Sequence, residues 1–86
     1  MTSAPASAVR VVLFARYADL LGADALNLPA GSVSTVADVV ASVRRLPGGD
    51  ALPPHVLCAV NLRQASPADP VAPGDEVAFL PPMAGG

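Results

Sequence analysis

Residues 74–86 read Gly-Asp-Glu-Val-Ala-Phe-Leu-Pro-Pro-Met-Ala-Gly-Gly. The apolar run at residues 76–80 predicts a strand. The two prolines end it, because neither has an N–H to donate to a ladder, and they favour a stiff, extended chain. The two glycines bring no side chains, so the backbone can enter a narrow channel. Extended, residues 81–86 reach roughly 20 Å, and we expect them to place the carboxylate of Gly86 in a partner's active site.

Upstream of this strand, the sequence predicts a hairpin and a short helical turn. Pro73 and Gly74 occupy the second and third positions of a predicted type II turn at residues 72–75. Residues 9–14 predict a first strand, and because both of its faces are mostly apolar, we expect an interior strand of a covered sheet. Residues 16–21 predict a single helical turn, and residues 25–28 a second strand paired with the first.

One clear helix begins at Thr35. Thr35 and Asp38 have capping-box spacing, and four valines then form one apolar stripe: Val36, Val39, Val40 and Val43. Arg44 and Arg45 are interpreted as a solvated last turn. Residues 56–61 and a short run after residue 64 predict two more strands before the strand at 76–80. The order predicts an α+β fold with a mixed sheet packed on one main helix.

Composition limits the chain to one small domain. Its 86 residues are 52% hydrophobic but only 3% aromatic, so the core must be built from Val, Leu and Ala. Residues 1–8 are predicted to be a disordered arm, residues 9–80 the domain, and residues 81–86 a flexible segment, called the tail below. The five arginines are scattered and the net charge is −2, which argues against nucleic-acid binding. No signal peptide or membrane span is predicted, so we expect a soluble cytoplasmic protein.

The side chains that most often carry chemistry form no catalytic set in this sequence. His55 is the single histidine and has no metal ligand at a suitable spacing. Cys58 lies within a strand and is interpreted as an inert, buried thiol. Asp75 and Glu76 are neighbours that alternation sends to opposite faces, so they make a poor acid–base pair. We therefore predict no metal site and no standalone enzyme.

The tail and the strand before it resemble the C-terminus of the small subunit of molybdopterin synthase. That family typically ends in a run of the form D-E-V-A-F-x-P-P-V-x-G-G, and Met83 stands where this run has valine. Weaker similarity extends over the first strand, the helix start and the third strand, at Val11-Val12-Leu13-Phe14-Ala15-Arg16, Thr35-Val36-Ala37-Asp38 and Ala59-Val60-Asn61. The resemblance covers residues 9–86 and implies a ubiquitin-like β-grasp fold.

The resemblance also implies a sulfur carrier. An activating enzyme would use ATP to adenylate the carboxylate of Gly86, and a sulfur donor protein would convert it to a thiocarboxylate. The carrier would then bind the large synthase subunit, in a heterotetramer, and give its sulfur to cyclic pyranopterin monophosphate. The chain would bind no cofactor itself. The residues expected to contact partners are Phe79, Leu80, Pro81, Pro82, Met83, Ala84 and Gly85.

Several alternatives stay open at this stage. Phe79 is as well explained by a core position as by a partner contact, because alternation sends Phe79 and Leu80 to opposite faces. The same Gly-Gly end would serve a sulfur carrier for thiamine thiazole or cysteine synthesis, or a ubiquitin-like protein modifier. A plain β-grasp interaction domain with an inert tail is the remaining hypothesis.

Overall fold

The computed structural model describes residues 8–81, and these form one mixed sheet with two α-helices. The elements are β1 (Ala8–Leu13), α1 (Arg16–Leu21), β2 (Ala25–Pro29), a 3₁₀ turn (Ala30–Ser32), α2 (Val36–Arg44), a second 3₁₀ turn (Gly49–Ala51), β3 (Leu57–Val60), β4 (Arg63–Ala65) and β5 (Glu76–Leu80). Residues 1–7 of the predicted arm and residues 82–86 of the tail lie outside the described range. Ala8, which we assigned to the arm, instead begins β1.

The strand order is β2-β1-β5-β3-β4, so β5 is the central strand and β1 and β3 flank it. β1 pairs with β5 in parallel, and the other three pairings are antiparallel. The predicted mixed sheet with one main helix is confirmed. Neither helix of residues 8–81 combines the length and the apolar character that a membrane crossing requires.

Only one face of the sheet is covered by helix. Val9, Val11 and Leu13 of β1 are at most 3% exposed and pack with the three buried valines of α2. On the opposite face of β1, Arg10 and Val12 are half-buried. The expectation of an interior strand is confirmed, because β1 lies between β2 and β5. Its second apolar face exists, but no described element lies over it.

The helix start is fixed by the predicted capping box. The hydroxyl of Thr35 accepts the N–H of Asp38 at 3.3 Å, and the Asp38 carboxylate accepts the N–H groups of Ser34 and Thr35 at 2.9 and 3.1 Å. These backbone hydrogen bonds lower the pKa of Asp38. Of the predicted stripe, Val36, Val39 and Val43 are buried and Val40 is half-buried.

The last turn of α2 holds the loop that leads into β3. The Arg44 guanidinium donates to the carbonyls of Leu52 and Pro53, each at 2.9 Å. The interpretation of Arg44 as a solvated residue was therefore wrong, whereas Arg45 is exposed as expected. Sequence could not show this contact, because it depends on the chain returning past the end of the helix. By fixing this loop, Arg44 positions the first residue of β3, Leu57.

The β3–β4 hairpin turns through two residues with positive φ. Asn61 has φ 49° and Leu62 has φ 72°, as in the tight two-residue turns that normally use Asn or Gly. Asparagine tolerates this region, but for leucine the left-handed conformation costs about 1–2 kcal/mol. The turn predicted at residues 72–75 is also present. Asp75 N–H donates to the Ala72 carbonyl at 3.0 Å, and Gly74 has φ 87°.

Candidate functional site: the outer sheet face and the tail

The face of the sheet opposite α2 carries an apolar surface on its three inner strands. Strand pairing places Val12 of β1, Ala78 of β5 and Ala59 of β3 side by side. The next row toward the end of β5 pairs Leu80 with Leu57. Residues opposite each other in a sheet share a face. We call this surface the outer face and define it by Val12, Leu57, Ala59, Ala78 and Leu80.

The outer face has small, buried side chains in its middle and large, exposed ones at one end. Its two alanines are at most 9% exposed, whereas Leu57 is 50% exposed. Phe14 follows β1 and is 46% exposed; the register puts it one step beyond the Leu13–Phe79 pair, at the end of the sheet where Leu80 lies. Phe14 and Leu57 thus lie at the same end of the sheet, with β5 between their strands. Large apolar side chains at 46–50% exposure at one end of a sheet are typical of a protein-binding surface.

The last strand ends, and the tail begins, at the end of the outer face that carries the large, exposed side chains. β5 ends at Leu80, and Pro81 is half-buried directly after it. The structure thus brings together two of the predicted partner residues, Leu80 and Pro81, with Leu57. The other predicted site residues lie outside the described range and remain predictions: Pro82, Met83, Ala84, Gly85 and Gly86.

Phe79 is not part of the outer face. It is 0% exposed and belongs to the core cluster, on the side of the sheet covered by α2. Alternation along β5 separates it from Leu80, and its pairing with buried Leu13 and Cys58 decides which of the two faces inward. The expected partner contact by Phe79 was therefore wrong. Its role is to anchor the strand from which the tail extends.

The opposite end of the outer face is polar. Arg10 of β1 and Glu76 of β5 form an ion pair at 3.9 Å, with side chains 30% and 41% exposed. Such exposed pairs add little stability. Asn61 Nδ2 donates to the Asp75 carboxylate at 3.0 Å, and Asn61 Oδ1 accepts the Glu76 N–H at 3.0 Å. Asp75 and Glu76 thus have structural hydrogen bonds and do not form an acid–base pair.

Cys58 is unsuited to carry sulfur. It is 1% exposed, and burial raises the pKa of its thiol to about 11. At pH 7 only about one thiol in ten thousand is then ionised, and the thiol is 3.6 Å from the Val56 carbonyl. The prediction of an inert thiol is consistent with this environment. A buried thiol that stays protonated is a poor nucleophile.

Two other features were considered as sites, the side chain of His55 and a surface groove, and neither brings together a set of reactive groups. His55 is exposed, and within residues 8–81 no three His, Cys, Asp or Glu side chains are placed to hold a metal ion. An open groove of about 800 Å³ lies between α2 and the β3–β4 hairpin. Its walls are mainly aliphatic, from residues such as Val36, Val40 and Val56, and Leu57 of the outer face and His55 also line it. Its Arg44 is already bound to backbone carbonyls.

Sequence reasoning missed most of the outer face. Leu57, Ala59, Val12 and Phe14 were interpreted only as strand residues. The signal was present in β1, where both faces are apolar, but we took the second apolar face as evidence of a covering layer. The structure shows instead an apolar strand face that no described element covers.

Comparison with known proteins relates this architecture to a family. The sequence model of the ThiS family matches residues 11–86. The crystal structure of SAMP1 from Haloferax volcanii has a TM-score of 0.76 and 25% identity, covering 92% of this chain and 99% of that one. A putative molybdopterin converting factor, subunit 1, from Pyrococcus furiosus has a TM-score of 0.74 and 26% identity, covering 88% of this chain and 98% of that one.

A more distant structure shares only the fold. Urm1 from Trypanosoma brucei has a TM-score of 0.59 and 20% identity, covering 93% of this chain and 96% of that one. Together with the strand order, these likenesses show a ubiquitin-like β-grasp fold. No match was found among curated protein sequences.

Proposed function

Because the chain belongs to the ThiS family, whose fold and neighbours are those of ubiquitin-like sulfur carriers, we propose that it carries sulfur as a thiocarboxylate on Gly86. We further propose that it acts as the small subunit of molybdopterin synthase. The observation that carries this proposal is the place where β5 ends. Leu80 and Pro81 lie beside the exposed apolar end of the outer face, so a partner that binds this surface also meets the start of the tail.

The chemistry would take place in partners, with this chain supplying the acyl group. An activating enzyme adenylates the Gly86 carboxylate with ATP, and pyrophosphate leaves. A sulfur donor protein then supplies the sulfur that replaces AMP. The large synthase subunit binds the loaded chain in a heterotetramer and transfers the sulfur to cyclic pyranopterin monophosphate. A side-chain-free end suits a channel that excludes water until delivery.

Two observations favour the pterin pathway. The Pyrococcus furiosus protein similar to this chain is described as a molybdopterin converting factor subunit. In addition, residues 74–86 follow the terminal run of the molybdopterin synthase small subunit at every specified position except Met83. The proposed partner is therefore the large subunit of that enzyme. A cytoplasmic location remains a prediction.

A protein-modifier function is the second candidate, and the likeness to SAMP1, a small archaeal modifier protein, favours it. Both functions would begin with adenylation of Gly86, but they differ in product. Expression in the host followed by blotting distinguishes them, since a modifier yields higher-mass conjugates that a Gly86 deletion eliminates. Complementation of strains lacking the pterin, thiamine or cysteine carrier tests the pathway. We expect rescue of molybdopterin synthesis alone, and rescue of another pathway alone would contradict the assignment.

The proposed role of the outer face predicts a large effect of Leu80→Arg. Leu80 lies at the tail exit, so a cation there should clash with an apolar partner surface and be buried without a counter-charge. We expect affinity for the large subunit to fall at least about 30-fold, as for an interface residue worth 2 kcal/mol or more. Isothermal titration calorimetry would measure this.

Ala51→Arg is the matched control for that substitution. Ala51 is exposed in the second 3₁₀ turn and belongs neither to the outer face nor to the groove that Leu57 shares with α2, so its replacement should leave the affinity unchanged. Circular dichroism should show both variants folded, because neither replaced residue belongs to the buried core. Equal affinities for wild type and a folded Leu80→Arg variant would contradict a docking role for the outer face.

A further inference from the structure

Leu62 is the most exposed large apolar side chain of the described range, and it lies in a conformation that leucine disfavours. Its side chain is 89% exposed, and its φ is 72°. Glycine or asparagine would fit the second position of this two-residue turn without strain. Neither folding nor solubility benefits from leucine here, so an observed outlier of this kind points to a functional role.

The turn holds Leu62 firmly. The preceding residue, Asn61, makes three hydrogen bonds to the start of β5. Its N–H donates to the Glu76 carbonyl at 2.8 Å, its amide nitrogen donates to Asp75 at 3.0 Å, and its amide oxygen accepts the Glu76 N–H at 3.0 Å. The leucine is therefore displayed from an ordered base, which reduces the entropy lost when a partner buries it.

The position of Leu62 relates it to the outer face. Leu62 and Asn61 flank a shallow depression beside Glu76, whose side chain pairs with Arg10 on that face. Glu76 and Leu80 are the two ends of β5, about 13 Å apart at 3.3 Å per residue. Leu62 thus lies beside the end of the outer face that is remote from the tail. The formal charges of the residues around Leu62 sum to zero, because Arg10 and Arg63 are matched by Asp75 and Glu76.

We propose that Leu62 is a second apolar anchor for the large subunit that receives the tail, inserting into an apolar pocket of that protein. This inference rests on the proposed function. Leu80 and Leu62 lie near opposite ends of β5. A partner that binds both side chains fixes the orientation of the domain as well as its position. Fixing the orientation aligns the tail with the channel it must enter. Since an apolar contact involves no ion pair, we expect the contribution of this anchor to depend little on salt.

The test compares stability and binding in the same variants. Leu62→Gly and Leu62→Asn relieve the strained conformation, so the full chain should have a melting temperature no lower than wild type. The same variants lose the anchor, and we expect about tenfold weaker binding to the large subunit, in low and in high salt, as for an interface residue above 1 kcal/mol. Leu62→Met retains an apolar side chain and should bind nearly as tightly as wild type.

Each result of this comparison decides the proposal. Weaker binding with retained stability, together with rescue by methionine, supports it. Wild-type affinity in Leu62→Gly and Leu62→Asn overturns it while leaving the proposed function intact. An effect seen only with the activating enzyme overturns the choice of partner. If the wild-type chain itself fails to bind the large subunit, the proposed function fails, and the anchor fails with it.

Discussion

We expect deletion of Gly86 to abolish sulfur loading and to leave the domain folded. The buried core of residues 8–81 lies between Ala8 and Phe79, so we expect it to form without Gly86. The shortened tail, however, withdraws the reacting carboxyl group by about 3.5 Å. A misplacement of 1 Å can already reduce a rate about 100-fold, so we expect no thiocarboxylate above background. Intact mass after incubation with activating enzyme, ATP and sulfur donor measures loading, and thermal melting measures folding.

Met83→Val is the matched control for the deletion. It changes the tail without shortening it and introduces the residue that the similar family has at this position. Loading at the wild-type rate is expected. Retained molybdopterin formation by the Gly86 deletion would show that the Gly86 carboxylate is not the site of sulfur attachment.

Phe79→Ala is expected to remove a large part of the stability of the domain. Phe79 is the largest fully buried side chain, and the described residues contain two other aromatics, Phe14 and Tyr17. Truncating a buried phenylalanine costs about 3–5 kcal/mol. The total free energy of unfolding for 86 residues is roughly 4–13 kcal/mol, at 0.05–0.15 kcal/mol per residue. Urea denaturation followed by circular dichroism should give a midpoint shifted far toward zero denaturant.

Leu80→Ala is the neighbouring control in the same strand. Leu80 is half-buried on the outer face, so its truncation should cost much less stability and should mainly weaken binding to the large subunit. The pair of variants therefore separates the two faces of β5. Similar losses of stability in both would contradict the assignment of Phe79 to the core and Leu80 to the partner surface.

Local features of the fold could be predicted from sequence. The capping box of Thr35 and Asp38 depends on residues three apart, and the turn at Gly74 depends on a positive φ that glycine favours; both are present. The apolar run of β5 and the proline that ends it were also predicted correctly. In each case the energetics involve a few consecutive residues, so the sequence contains the necessary information.

Features that depend on distant parts of the chain could not be predicted. Alternation separated Phe79 from Leu80, but only the pairing of β5 with β1 and β3 decides which side chain is buried. The Arg44 contacts require the chain to return past α2. The strain at Leu62 depends on a two-residue turn whose length is set by the pairing of β3 with β4. The candidate site consists largely of such long-range features.

The central claim is that Gly86 carries sulfur, and the most direct test is the intact mass of the chain. The chain would be incubated with its activating enzyme, ATP and sulfur donor, and fragmentation would locate any change. We predict a mass increase equal to the replacement of one oxygen by sulfur, confined to Gly86. An unchanged mass, obtained with an activating enzyme shown to load another carrier, would contradict the account.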